Sequence, residues 1–142
     1  MADPMIGSDA AVRTLKGGCG CGAVAYVVED AFEYAANCHC GGCRRATGSA
    51  FKPFVGVKRD KLALTAGVDA LIIVGDPEAA HDVRCARCGS LLFSVVGEGA
   101  WAHVALGSLH NAPSLTPTHH ISVSSKAPWH EITDDLPKHA EF

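Results

Sequence analysis

Asn37-Cys38-His39-Cys40-Gly41-Gly42-Cys43-Arg44 packs three thiols into six residues directly after a β-like run. Thiolate is the soft ligand that zinc prefers, and Zn–S bonds of about 2.3 Å require the sulfurs to be drawn close together. Cys-x-Cys-x-x-Cys does this around one ion, but it supplies three sulfurs and not four. Catalytic zinc sites commonly keep three protein ligands and leave the fourth position to water or substrate.

Outward from this turn lie the other four of the seven cysteines: Cys19 and Cys21 in Gly17-Gly18-Cys19-Gly20-Cys21-Gly22, and Cys85 and Cys88 in Cys85-Ala86-Arg87-Cys88-Gly89. Drawing the two pairs onto one ion closes a long loop and removes unfolded-chain entropy. In an extended segment Cys19 and Cys21 point to the same face, because side chains alternate. Disulfides would leave one cysteine over; four plus three leaves none. The arithmetic predicts two zinc ions per chain, a closed structural one on Cys19, Cys21, Cys85 and Cys88 and an open one on Cys38, Cys40 and Cys43. Competing readings are ordinary buried thiols, a single zinc, a His39 that closes the second site as Cys₃His, and a metal-free redox pair at Cys38 and Cys40. His39 is disfavoured as a ligand because neighbours in an extended chain point apart.

Three thiolates leave Zn²⁺ at net −1 and weaken its power to acidify water, whereas a thiol, with a free pKa of about 8.5, ionises easily. The open position therefore suits a substrate thiol, held for attack on a small electrophile such as an aldehyde carbonyl.

The rest of the chain frames these sites. Its 142 residues are one domain's worth, with 48% apolar and 19% charged residues and a net charge of −3. That balance offers no attraction to nucleic acid or an anionic membrane, and no apolar run reaches the ~20 residues of a span. The opening Met1-Ala-Asp-Pro lacks a signal-peptide pattern, which predicts a cytoplasmic location where thiols stay reduced. Residues 1–12 read as a flexible tail and 13–142 as a single zinc-binding β domain. Strands are expected at Ala23–Glu29, Phe32–Asn37, Ala50–Val57, Leu62–Thr65, Ala70–Val74, His81–Arg84, Leu91–Val96, Trp101–Leu106 and His119–Ser124. One helical turn over Cys43–Gly48 and a hairpin at Gly97-Glu98-Gly99 complete a mainly β chain.

Gly-x-Cys-x-Cys-Gly at 17–22, Cys-His-Cys-x-x-Cys-Arg at 38–44, Cys-x-x-Cys-Gly-Ser at 85–90, His-Ile-x-Val-x-Ser-Lys-Ala-Pro-Trp at 120–129 and Asp134-Asp135-Leu136-Pro137 together resemble the glutathione-dependent formaldehyde-activating enzyme family, which includes centromere protein V. The resemblance runs from about Leu15 to the end. It implies stacked, twisted antiparallel sheets built around zinc, similar to the methionine-(R)-sulfoxide reductase-type fold. It implies structural zinc on Cys19, Cys21, Cys85 and Cys88 and catalytic zinc on Cys38, Cys40 and Cys43. The implied activity is that of a carbon–sulfur lyase that condenses glutathione with formaldehyde to S-hydroxymethylglutathione, so its partners are a small thiol and an aldehyde. Many members carry an acidic pair where this chain has His110-Asn111.

Arg44, Arg45 and Lys52 are candidates to bind the carboxylates of a glutathione-like peptide, although each alone reads equally well as surface charge. Trp101 and Trp129 read as packing residues. His119 and His120 straddle two faces of a strand, so one of them is a candidate to enter the pocket, or to be a hydrogen-bonded structural residue. The rival of another class is a zinc-stabilised binding module with two structural metals. The oligomeric state is not legible in these residues.

Overall fold

The computed structural model describes residues 12–142. The tail expected over 1–12 lies, Val12 apart, outside the described residues. Ten strands follow in order: β1 (Thr14–Gly18), β2 (Ala25–Glu29), β3 (Tyr34–Cys38), β4 (Lys52–Lys58), β5 (Leu62–Ala66), β6 (Leu71–Gly75), β7 (His81–Cys85), β8 (Leu91–Val96), β9 (Trp101–Ala105) and β10 (His120–Ile121). Helix α1 (Gly41–Thr47) joins β3 to β4.

Two sheets result. The larger runs β10-β3-β4-β9-β8-β7-β6 and the smaller β1-β2-β5. Alternate residues of the large sheet face the small one: Val55, Val57, Phe93, Val95, Ala102 and Val104 meet Leu15, Tyr26, Val28 and Leu62 in one buried cluster. Burial of this apolar surface, at roughly 25 cal/mol per Å², is the main force holding the sheets together. Tyr26 spans the layers, edge-on to Phe93 with its hydroxyl 2.7 Å from Ser108 Oγ.

The opposite face of the large sheet is polar and aromatic. Cys38 pairs with Lys52 across β3 and β4, and Gly56 with His103 across β4 and β9. Ser94 stands between His103 and Asp82 in the next strands. Because directly opposed residues share a face, Cys38, Lys52, His103, Ser94 and Asp82 form one row system on the side away from the core.

Nine expected strands are present, and three expectations are corrected. Leu15–Gly18 belongs to a strand, β1, that its two glycines concealed; Gly17 is required there because a Cβ would lie 2.2 Å from Tyr26 Cζ. The strand expected over His119–Ser124 shrinks to His120–Ile121, since Ser122 adopts a left-handed φ of 57° and a 3₁₀ turn follows at Val123–Ser125. That short strand pairs in parallel with β3, so the large sheet is not wholly antiparallel.

Candidate metal centre

The turn after β3 is shaped by its own sulfurs. Cys38 ends the strand, Cys40 caps α1 with its Sγ accepting the Cys43 N–H at 3.2 Å, and Cys43 sits in the first turn. Gly48, at φ 63°, takes the left-handed conformation that stops the helix. The Sγ atoms of Cys38, Cys40 and Cys43 lie within 4.8 Å of one another, and among the described residues no histidine or carboxylate joins them.

Cys19, Cys21, Cys85 and Cys88 form a second cluster by the same measure. Cys19 and Cys21 meet through a tight turn in which the Gly22 N–H reaches Cys19 O at 3.3 Å, not through the strand alternation expected of an extended segment. The Cys19–Cys21 and Cys21–Cys85 sulfur separations are 3.7 and 3.8 Å. A tetrahedron of sulfurs at about 2.3 Å from zinc has edges of about 3.8 Å, so the donor set fits that ion. Backbone N–H groups support the sulfurs: Val24 to Cys19 at 3.2 Å, and Arg87 and Cys88 to Cys85 at 3.3 and 3.4 Å. All seven cysteines are free thiols.

Hydrogen bonding polarises both clusters. A hydrogen bond from Cys43 brings the Cys38 thiol down to about 5, and the same contact pushes Cys43 far up. In the other cluster Ser90 brings Cys88 down to about 5, while Cys21 rises to about 11. One sulfur ionises only by keeping its neighbour protonated, a conflict that a bound cation relieves.

Lys52 is 6% exposed, so the surface-charge reading fails for it. Its Nζ donates to Ser94 Oγ at 3.0 Å, which donates to Asp82 Oδ1 at 2.6 Å, and its charge favours ionisation of Cys43. Arg44 donates from Nη1 to Ser125 O at 3.2 Å, while its buried Nε has no partner. His39 is fully buried beneath the turn and pairs with His120, not with the sulfurs. Burial first, then His120, His130 and Lys126, hold His39 at about 4. Trp101 packs on Tyr34, but Trp129 is 68% exposed and packs no core.

A cleft of about 680 Å³ opens beside the four-cysteine cluster and extends to the end of α1 and the start of β4. Of the seven cysteines only Cys19 lines it, and it meets the three-cysteine side at Thr47, Phe51 and Lys52. Thr47 links the two, since its Oγ1 donates to Cys43 O at 2.8 Å. One residue that sequence reasoning missed is here, together with one it had singled out only as a departure from the family pattern. Arg84 donates to Gly89 O at 2.8 Å and also to Ala46 O, bridging the four-cysteine knuckle to α1. His110 lines the cleft, whereas its neighbour Asn111 serves the fold by accepting the Lys16 N–H at 2.9 Å. Among the described residues no carboxylate lines the cleft.

A sequence profile described as the glutathione-dependent formaldehyde-activating enzyme matches residues 14–125, the span that carries both clusters. The chain belongs to the glutathione-dependent formaldehyde-activating enzyme family. A crystal structure of a Rhodobacter sphaeroides protein is similar in fold, with a TM-score of 0.57 and 24% identity over 70% of this chain and 91% of that one. Comparison with curated proteins gives no match. Family membership links this site to glutathione and formaldehyde chemistry, and the seven thiols are its potential metal donors. No helix among the described residues is long and apolar enough to cross a membrane.

Proposed function

We propose that this chain is a cytoplasmic zinc enzyme of the carbon–sulfur lyase type, built as a single zinc-binding β domain over 13–142 with a methionine-(R)-sulfoxide reductase-like fold. It joins a small, glutathione-like thiol to an aldehyde such as formaldehyde, or releases it. The observation that carries this reading is the unequal count of donors: four sulfurs in one cluster, three in the other, with no further His, Asp or Glu ligand among the described residues. Cys19, Cys21, Cys85 and Cys88 would hold a structural zinc, and Cys38, Cys40 and Cys43 a catalytic one. Zinc in the second cluster would supply a Lewis-acid seat that makes a thiol proton easy to lose.

In the synthetic direction the S–H bond breaks, an S–C bond forms to the carbonyl carbon, and the carbonyl oxygen gains a proton; no oxidant or reductant enters. Lys52 has one of its N–H bonds committed to Ser94. Its remaining two are free to hold a substrate carboxylate or the developing oxyanion, in a buried setting where such a contact is strengthened. Arg44, on the helix that carries Cys43, is the second candidate for a carboxylate through its unpartnered Nε. The body of the thiol rests in the cleft, whose charged lining is Lys52 and Arg84.

The test is Lys52→Met with glutathione-dependent turnover of formaldehyde as the readout. An opposite charge within about 4–6 Å shifts a thiol by 1–3 pKa units, so turnover should fall about tenfold or more while the zinc content holds. Undiminished turnover in this variant would contradict the role of Lys52.

A further inference from the structure

Three residues that the chemistry above leaves unused stand in line behind the three-cysteine turn. His39 Nε2 is 2.8 Å from His120 Nδ1. His120 Nε2 is 3.0 and 3.1 Å from the two carboxylate oxygens of Asp134. The two imidazoles are fully buried, while the side chain of Asp134 is half exposed. The carboxylate accepts, so His120 carries its hydrogen on Nε2 and offers Nδ1 as an acceptor; His39 donates to it from Nε2. This polarity leaves His39 Nδ1 as an acceptor at the inner end of the line, and it is a buried atom with no partner.

The line joins parts of the chain that are far apart in sequence. His39 lies between Cys38 and Cys40. Backbone bonds follow the same route: His39 N to Ile121 O at 3.0 Å, His120 N to Pro137 O at 2.8 Å, and His139 N to His120 O at 2.9 Å. Asp134 is fixed in turn by the Leu136 N–H at 3.0 Å. An apolar pair would fill the same space without orphaning a buried nitrogen, so packing alone gives no reason for two histidines here. What an apolar pair lacks is direction. Two hydrogen bonds of fixed length and angle set where the His39 ring sits, and the ring sets the peptide on either side of it.

We propose that Asp134, His120 and His39 form a positioning chain by which the C-terminal segment holds the Cys38-His39-Cys40 turn, and so the spacing of its sulfurs. This rests on the reading of Cys38, Cys40 and Cys43 as a metal seat. Backbone N–H groups reach sulfurs in both clusters, but the four-cysteine cluster is braced by Ser90 and has no contact with this line of side chains. Loss of the chain should therefore loosen one cluster and spare the other.

The experiment loads the full-length protein with cobalt(II) and follows its release to a chelator through the thiolate–cobalt absorption bands, with Cys40→Ser supplying the spectrum of the four-cysteine cluster alone. In Asp134→Ala, release from the three-cysteine cluster should quicken about tenfold or more, the usual scale for loss of a group that orients a ligand. Release from the other cluster should stay within about twofold. Asp134→Glu should restore most of the difference, and His120→Phe should match Asp134→Ala. Unchanged release, or equal loosening of both clusters, overturns the proposal. Either of those results in the variants, when the wild-type protein takes up two cobalt ions, sinks the positioning chain alone. A wild-type protein that takes up a single ion sinks the metal-seat reading and this proposal with it.

Discussion

The two cysteine clusters invert each other. The four-sulfur cluster offers enough donors to fill a tetrahedral ion, yet Cys21 and Cys88 are exposed to solvent; the three-sulfur cluster offers one donor fewer, yet Cys38 is buried and Cys40 and Cys43 are half-buried. On the proposed reading, openness to chemistry is a matter of ligand count, not of exposure. A closed tetrahedron at the surface has no vacant position however much water surrounds it. A three-sulfur seat on the polar face of the large sheet, with Lys52 paired to Cys38, would leave a bound zinc ion one ligand short.

The widest difference expected between the clusters is in what their loss does. Cys85→Ser removes a fully buried sulfur that ends β7 and ties the two halves of the chain. It should cost about 5 kcal/mol or more, a fraction of the ~10–16 kcal/mol of a structural zinc, and urea unfolding should show little or no native baseline. Cys40→Ser should leave the far-ultraviolet circular dichroism and the unfolding midpoint nearly unchanged and reduce glutathione-dependent turnover by about a hundredfold or more. If both substitutions unfold the protein alike, the division into a scaffold cluster and a working cluster is wrong.

Most of this division is legible in the amino-acid sequence. Cysteine spacing alone separates four from three, and alternation of Val, Tyr and Phe identifies the core-facing strands. What stays hidden has physical causes. The two glycines of β1 carry no β-propensity, and their use appears only with the Tyr26 ring packed over Gly17. Burial of Lys52 follows from its pairing with Cys38, a long-range register that local pattern does not encode. The line from His39 to Asp134 joins three separate motifs, each visible as a motif but silent about the others. Arg84 sits next to Cys85 and reads as an ordinary strand residue until α1 is brought against it.

Arg84 sharpens the comparison, because it touches both sides. With bonds to Gly89 O and Ala46 O it fastens the knuckle to the helix. Arg84→Ala should reduce stability by about 1 kcal/mol, chiefly through the part-buried Ala46 carbonyl, since the Gly89 carbonyl is exposed to water. It should speed metal exchange at both clusters in a chelator competition assay, whereas selective loss at one would show that they are not mechanically joined.

The smallest expected effect concerns pH. Burial first, and then the charge of Lys52, hold His103 at about 4, and its Nε2 lies 2.6 Å from the Tyr34 hydroxyl. The free value is about 6.5, so the unfolded chain binds the proton more readily. The stability that this histidine contributes is present above pH 6.5 and is lost as pH falls toward 4. His103→Gln should flatten that slope in chemical unfolding series across this window. An unaltered slope would assign the acid sensitivity to other groups.

X-ray absorption at the zinc edge, with and without added glutathione, tests the central claim most directly. The account predicts that zinc in the wild-type protein gains a sulfur neighbour when glutathione is added, and that Cys40→Ser, with its three-cysteine cluster disabled, does not. A wild-type spectrum that already shows full sulfur or protein coordination at both ions, and does not change with the thiol, would contradict it.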